Sequence, residues 1–285
     1  MNTTASDFST ASTIERPPPP DPGRGTPHTA DIARPSLAAI VASLHGRTGK
    51  TLLARVLADY FVLFGTRPLL FDTDAAEHRL HASFPYDTVV VDLFEVRDQM
   101  TLFDTLATRS PEARVVDVSH HAFRKFFKVM QDSRFIGEAR ARQVEPVIFY
   151  IADRNPDAYE EGRLLRERFE ECALVLVENA FVGRVKDLTR RSAGYRTLES
   201  HDLPMTLPRL DPVLSESIED QNLSLSETMT RPLSRDTASH GPGELSFDAR
   251  EALRAWLVKV FREIHRLTRE IELRAPPLLR SEPMF

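Results

Sequence analysis

The run Ser43-Leu44-His45-Gly46-Arg47-Thr48-Gly49-Lys50-Thr51 constrains this chain more than any other segment. An apolar stretch of strand length, Leu37-Ala-Ala-Ile-Val-Ala, leads into it. Behind it, residues Leu52 to Gly65 place apolar side chains at helical spacing and end on glycine, where a helix stops. A second apolar run, Pro68-Leu-Leu-Phe-Asp72, comes directly after. Strand, glycine-bearing loop, helix, strand is the order in which a Gly-Lys-Thr loop cradles phosphates. Backbone N–H groups and the positive end of the helix face the anion, and Lys50 adds a point charge. Thr51 has the hydroxyl that such loops place on Mg²⁺. The segment predicts a bound nucleoside triphosphate.

From Leu37 onward, strand-like and helix-like segments alternate, which predicts an α/β fold with three α/β/α layers and a mostly parallel central sheet. Strands are expected at 37–43, 68–72, 88–92, 113–118, 145–152 and 173–178. Helices are expected at 50–64, 97–108, 121–142 (broken near Ser133) and 155–170. A final helix over 247–272 carries one apolar stripe from Leu253 through Trp256, Val260, Ile264 and Leu267 to Ile271. The nucleotide-binding domain is thus expected over 37–274. Residues 1–36, rich in Pro, Ser and Thr, read as a disordered arm, 229–246 as a mobile loop and 275–285 as a tail.

At 285 residues, one large domain or two small ones can bury a sizeable core. The net charge of −5 excludes a globally basic, nucleic-acid-coating protein, so any such surface is local. The single cysteine, Cys172, excludes an internal disulfide and opens a strand-like run, which reads as a buried core residue. No apolar stretch approaches the ~20 residues of a membrane span, and the N-terminus lacks a signal-peptide pattern. A soluble cytoplasmic protein is expected.

The glycine spacing of the loop departs from G-x-x-x-x-G-K-[ST], because Leu44 stands where the first glycine belongs. It resembles instead the K-G-G-x-G-K-T loop of the ParA/MinD family of ATPases, with Gly46, Gly49, Lys50 and Thr51 matching. His45 takes the place of the family's first lysine and Arg47 that of its second glycine. The likeness continues in order: Asp72-Thr73-Asp74 for the family's D-x-D, Arg114-Val-Val-Asp117 for its acidic strand end, and Leu174 to Asn179 for the strand near the base. Pro204 to Pro212 stands where a proline-rich segment covers the base.

The resemblance implies a slow, Mg²⁺-dependent ATPase that works as a switch in DNA or plasmid partitioning or intracellular positioning. In that case ATP and ADP contact Gly46, Arg47, Thr48, Gly49, Lys50, Thr51 and Leu52. Lys50 and Asp74 are then the catalytic pair, Asp74 orienting the attacking water, while Thr51 and Asp117 support Mg²⁺. Asp92, at another strand end, competes with Asp117 for that place. Asn179 reads adenine, and Asp72 supports the switch through hydrogen bonds. A protein partner that stimulates hydrolysis and an ATP-dependent homodimer are implied as well, though His45 and Arg47 replace residues used across that dimer. Two other readings stand beside this one: a nucleotide-sensing adaptor with little hydrolysis, and a metabolic P-loop kinase or ligase.

Two further segments have competing readings. Residues 184–196 hold five bases against one acid, which suits either a solvated face or DNA phosphates. His120 and His121, read as neighbours pointing apart, suggest surface or helix-cap residues and not a metal site.

Overall fold

The computed structural model describes residues 36–201, 203–220, 224–230 and 245–274. The arm expected at 1–36 (apart from Ser36), most of the loop expected at 229–246 and the tail at 275–285 lie outside them.

The first half of the chain runs β1 (Ser36–Ala42), α1 (Lys50–Leu63), β2 (Leu69–Asp72), α2 (Arg79–Ser83), β3 (Thr88–Val90), α3 (Val96–Ala107) and β4 (Arg114–Asp117). It continues through α4 (Phe123–Asp132), α5 (Phe135–Ala141), β5 (Val144–Ala152), α6 (Pro156–Arg168) and β6 (Ala173–Asn179). The remainder is α7 (Asp187–Arg190), α8 (Ala193–His201), β7 (Leu203–Leu207), α9 (Pro212–Asp220), α10 (Leu225–Thr230) and α11 (Phe247–Arg274). The break expected near Ser133 separates α4 from α5.

The seven strands form one sheet in the order β3-β2-β4-β1-β5-β6-β7, with every pairing parallel. A parallel sheet needs both faces covered. Strand alternation does this: Ala39 and Val41 of β1 face one core, while Ala38, Ile40 and Ala42 face the other. The first core is shared with α1 and α11, the second with α3, α4, α5, α6 and α8. The α/β/α layering expected from the alternation is therefore the one observed.

In α11, Leu253, Trp256, Leu257, Val260, Ile264, Leu267 and Ile271 are buried, so the predicted stripe is a packing face. The Trp256 indole donates to the carbonyl of Pro208 at 2.8 Å, which ties this helix to the segment after β7. Cys172 is buried, and burial pushes its thiol up to about 12, as suits an inert core residue.

Two segments differ from expectation. The proline-rich stretch is expected to cover the base, yet Leu203–Leu207 is the edge strand β7, paired with Val175–Asn179. Of the residues after β7, Pro208 and Leu210 reach the cleft at the strand ends. The segment 184–196 contains α7 and the start of α8. There, a Cβ on Gly194 would lie 2.7 Å from the Tyr159 carbonyl oxygen, so only glycine lets α8 approach α6 this closely.

Candidate nucleotide site

β1 is the central strand at which the order of the sheet reverses: the chain moves from it to β2 on one side and later to β5 on the other. In open α/β sheets such a switch point opens a crevice beyond the strand ends. The loop after β1 lies there, and a cleft of about 790 Å³ runs past it. That volume falls within the range of small-molecule and cofactor pockets.

The loop is held in shape from within. Gly49 precedes α1 with φ +94, a conformation that side chains rarely adopt, and a Cβ there would stand 2.4 Å from the Asn179 amide nitrogen. Arg47 also has a positive φ, 59, so the position where the resembled family has glycine keeps a left-handed backbone with a bulky exposed side chain. Holding a non-glycine residue there costs on the order of 1 kcal/mol. The Lys50 ammonium donates to the carbonyl of His45 at 2.9 Å, closing the loop on itself. Lys50 is buried, and burial lowers its pKa, while the neighbouring Asp117 and Asp74 act in the opposite sense.

The strand ends deliver the acids. Asp117 pairs in register with Val41 of β1 and Asp72 of β2, which puts its side chain beside the start of α1. The Thr51 hydroxyl donates to Asp117 Oδ2 at 2.6 Å. The other oxygen, Oδ1, is buried without a hydrogen bond. Burial pushes this carboxyl up to about 7; the Thr51 hydrogen bond opposes the shift and nearby Asp72 adds to it. Asp92 lies outside this cluster and accepts from the Phe94 N–H at 2.8 Å.

Asp72 organises the loop that comes after β2. Its Oδ1 accepts from the Asp74 N–H at 3.0 Å, and its Oδ2 from the N–H groups of Leu80 and His81 at the start of α2. Asp74 lines the cleft with one oxygen held by the N–H groups of Ala76 and Glu77.

On the far side, Asn179 closes β6. Its amide donates to the Thr48 carbonyl at 2.8 Å and its oxygen accepts from the Phe181 N–H at 3.0 Å. It is thus a strut between strand and loop as well as a wall of the cleft. His45, at the resembled family's lysine position, contacts Asp153 at 2.8 Å and Asp157 at 3.4 Å, both in its own chain.

Sequence reasoning missed the part His120 and His121 take in the cleft. They do not point apart: residues between β4 and α4 form a turn, and the two rings meet with centroids 3.8 Å apart. Both line the cleft, and a Cβ on Gly46 would touch the His120 ring at 3.3 Å. Burial lowers the His120 pKa, helped by His121 and Lys50, which favours a neutral imidazole. The readable signal was their distance of three and four residues from Asp117, which puts them at the mouth of the same strand end.

The residues fit a hydrated magnesium ion held jointly with phosphates. No group of three His, Cys, Asp or Glu able to hold a metal occurs among the described residues. Mg²⁺ seldom needs such a cage, since it keeps several waters and takes one or two protein oxygens beside substrate phosphates. Thr51 Oγ1 and the unpaired Asp117 Oδ1 supply that kind of partial shell.

No protein-family model and no curated protein matches the sequence. Solved structures similar to the chain include the MinC:MinD cell division complex of Aquifex aeolicus, with 14% identity and a TM-score of 0.47 over 86% of this chain and 98% of that one. A nucleotide-binding protein of Archaeoglobus fulgidus in complex with ADP has 12% identity and a TM-score of 0.42, covering 72% and 93%. A candidate plasmid partition protein of Borrelia burgdorferi B31 bound to AMPPNP has 12% identity and a TM-score of 0.36, covering 79% and 99%.

Proposed function

We propose that the chain is a Mg²⁺-dependent ATP-binding protein of ParA/MinD type that hydrolyses ATP slowly and switches partner binding through the cycle. The observation that carries this reading is the trio at the head of α1: buried Lys50, Thr51 bonded to Asp117, and an Asp117 oxygen with nothing to bind. In phosphoryl transfer the protein mainly positions groups and neutralises charge. Gly46 to Thr51 wrap the phosphates, and Leu52 continues the cradle into α1. Lys50 leaves the His45 carbonyl for phosphate oxygens, and Thr51 and Asp117 hold the metal with its waters. The metal, when bound, draws charge from the phosphates. Asp74, on the loop braced by Asp72, orients water. Asn179, Phe181, Pro208 and Leu210 frame the adenine end.

A second reading, nucleotide sensing without turnover, is favoured by His45. Its ring is engaged by Asp153 and Asp157 of its own chain, so it is not extended toward a second subunit's nucleotide. The exposed Arg184, Lys186, Arg190, Arg191 and Arg196 of the segment 184–196 remain the candidate contacts for DNA phosphates.

Calorimetry with Mg²⁺-ATP, Mg²⁺-ADP and Mg²⁺-GTP tests the reading. Binding of the adenine nucleotides that needs Mg²⁺ and is lost in Lys50→Ala is expected; absence of binding by the wild-type protein would falsify it. Turnover measured with and without DNA, together with light scattering for an ATP-dependent dimer, separates the switch from the sensor.

A further inference from the structure

A second, smaller cleft lies beyond Asn179, at the ends of β5 and β6 and beneath the 180–185 loop. Its volume is about 240 Å³, below the range for drug-sized ligands, and suits a compact metabolite. Asp153, Tyr159, Glu178, Asn179, Arg184 and Arg190 stand in its walls.

Three features mark it as a built site. Tyr159 is fully buried, and its hydroxyl has no hydrogen bond. A buried, unpaired phenol in a native fold calls for a partner. Burial raises the pKa of that hydroxyl; Glu178, Tyr195 and Asp153 add to the shift and Arg190 opposes it, and of these four Glu178, Asp153 and Arg190 stand in the cleft walls. Second, the wall charge is balanced and segregated. Two carboxylates come from the strand ends, Asp153 and Glu178, and two guanidinium groups come from the segment after β6, Arg184 and Arg190. Third, Arg190 lies over the Tyr195 ring at 5.8 Å, and the Tyr195 hydroxyl donates to Glu178 at 3.3 Å, so both signs of charge are braced through one side chain.

We propose that this cleft binds a small zwitterion, an α-amino acid, with its carboxylate toward Arg184 and Arg190 and its ammonium toward Glu178. A dianion such as phosphate would meet two wall carboxylates, and a simple cation would meet two guanidinium groups. A ligand carrying both charges on adjacent groups meets its complement at each end. The Tyr159 hydroxyl supplies the remaining hydrogen bond.

The cleft also shares two residues with the phosphate loop. Asp153 holds the His45 ring at 2.8 Å, and Asn179 holds the Thr48 carbonyl at 2.8 Å. A ligand that draws on either shifts the loop, and the coupling is reciprocal. This coupling rests on the nucleotide-binding reading; occupancy of the cleft by an amino acid does not.

The test screens the twenty common L-amino acids against the full-length, nucleotide-free protein by thermal shift, followed by calorimetry on those that stabilise it. At least one is expected to bind saturably. Acetate and methylammonium, each carrying one of the two charges, are expected to bind at least about tenfold more weakly. Arg190→Gln and Glu178→Gln should each weaken binding roughly tenfold or more, and Tyr159→Phe, which removes only the hydroxyl, by several-fold. Circular dichroism and the melting temperature of each variant show that it is folded, and Mg²⁺-ADP binding, measured alongside, keeps failure of this site distinct from failure of the nucleotide site. The amino acid should in turn change Mg²⁺-ADP affinity several-fold. The proposal is overturned if no amino acid binds, if acetate binds equally well, or if the three variants bind the amino acid like the wild type. Amino-acid binding that leaves nucleotide affinity unchanged overturns the coupling.

Discussion

The two flanks of the phosphate loop are built in opposite ways. On the β5 and β6 side, the contacts that brace it are paired: Asn179 bonds the Thr48 carbonyl and His45 is engaged by Asp153 and Asp157, with the Thr48 hydroxyl left without a hydrogen bond. On the β4 side, Asp117 keeps one buried oxygen without a hydrogen bond and is pushed toward protonation. Paired groups fix a shape, whereas an unpaired buried carboxylate costs free energy until something binds it. The satisfied flank is thus scaffold, and the unsatisfied flank is where ligand and metal are expected.

The contrast breaks first at Lys50, the cation standing among the acids. On the proposed reading Lys50→Ala removes charge-assisted hydrogen bonds to phosphate, each worth about 1.5–3 kcal/mol, and should weaken Mg²⁺-ATP binding by roughly 10- to 100-fold or more in calorimetry. Unchanged affinity would move the ligand away from this flank.

Asp117→Asn comes next and carries opposite signs for binding and stability. Its carboxyl is raised from 3.8 to about 7 in the fold, so the folded state holds a proton that the unfolded chain releases. For such a raised acid, the stabilisation is full below the unfolded value and is lost as pH rises through about 7. The nucleotide-free protein should therefore melt lower at pH 8 than at pH 5 through this group. Asp117→Asn, which keeps the acceptor for Thr51 and removes the charge, should flatten that slope and raise Tm at pH 8. The same variant should lose about tenfold in Mg²⁺-dependent nucleotide affinity. A destabilised Asp117→Asn at pH 8 would refute the unsatisfied-flank argument.

On the satisfied flank the largest effect belongs to Asn179. Removing its amide in Asn179→Ala leaves the Thr48 carbonyl without that partner, and the loss should cost about 1–3 kcal/mol of stability in denaturant unfolding. Nucleotide affinity should fall less than in Lys50→Ala, since a strut is lost and no phosphate contact is.

The satisfied flank was also the harder one to read from sequence. Gly46, Gly49, Lys50 and Thr51 are adjacent or nearly so, so their chemistry is written in one short run, and apolar periodicity set six of the seven strands around them. Asp117 was legible because a β-strand ending in aspartate has few places to go. The His45 pairing joins residues 108 positions apart, and the Asn179 strut spans 131. Periodicity carries nothing about such contacts. The edge strand β7 was masked by Pro204, which is tolerated because an edge strand has one side free of ladder bonds. The short helix α2 was hidden for a similar reason: the N–H groups of Leu80 and His81 in its first turn are accepted by Asp72, eight and nine residues earlier.

The smallest effect distinguishes scaffold from switch at His45. Its side chain is 35% exposed and its contacts are ion-pair-like, so His45→Ala should change stability by no more than about 1 kcal/mol. His45→Lys is the sharper variant. Lysine restores the residue that the resembled ATPases carry at this place, and its longer, flexible stem can leave Asp153 and Asp157 for a second subunit's phosphates. If the tether to those carboxylates is what keeps the chain from pairing, light scattering should show an ATP-dependent dimer in His45→Lys that the wild type lacks. If the variant stays monomeric, the bulk of Arg47 at its left-handed position is the remaining obstacle, and Arg47→Gly in the same background decides it. That second change relieves strain at φ 59 and clears space in front of the loop at once. A double variant that still does not pair would leave a loop whose two departures serve one subunit alone, with the carboxylate clasp as part of its scaffold.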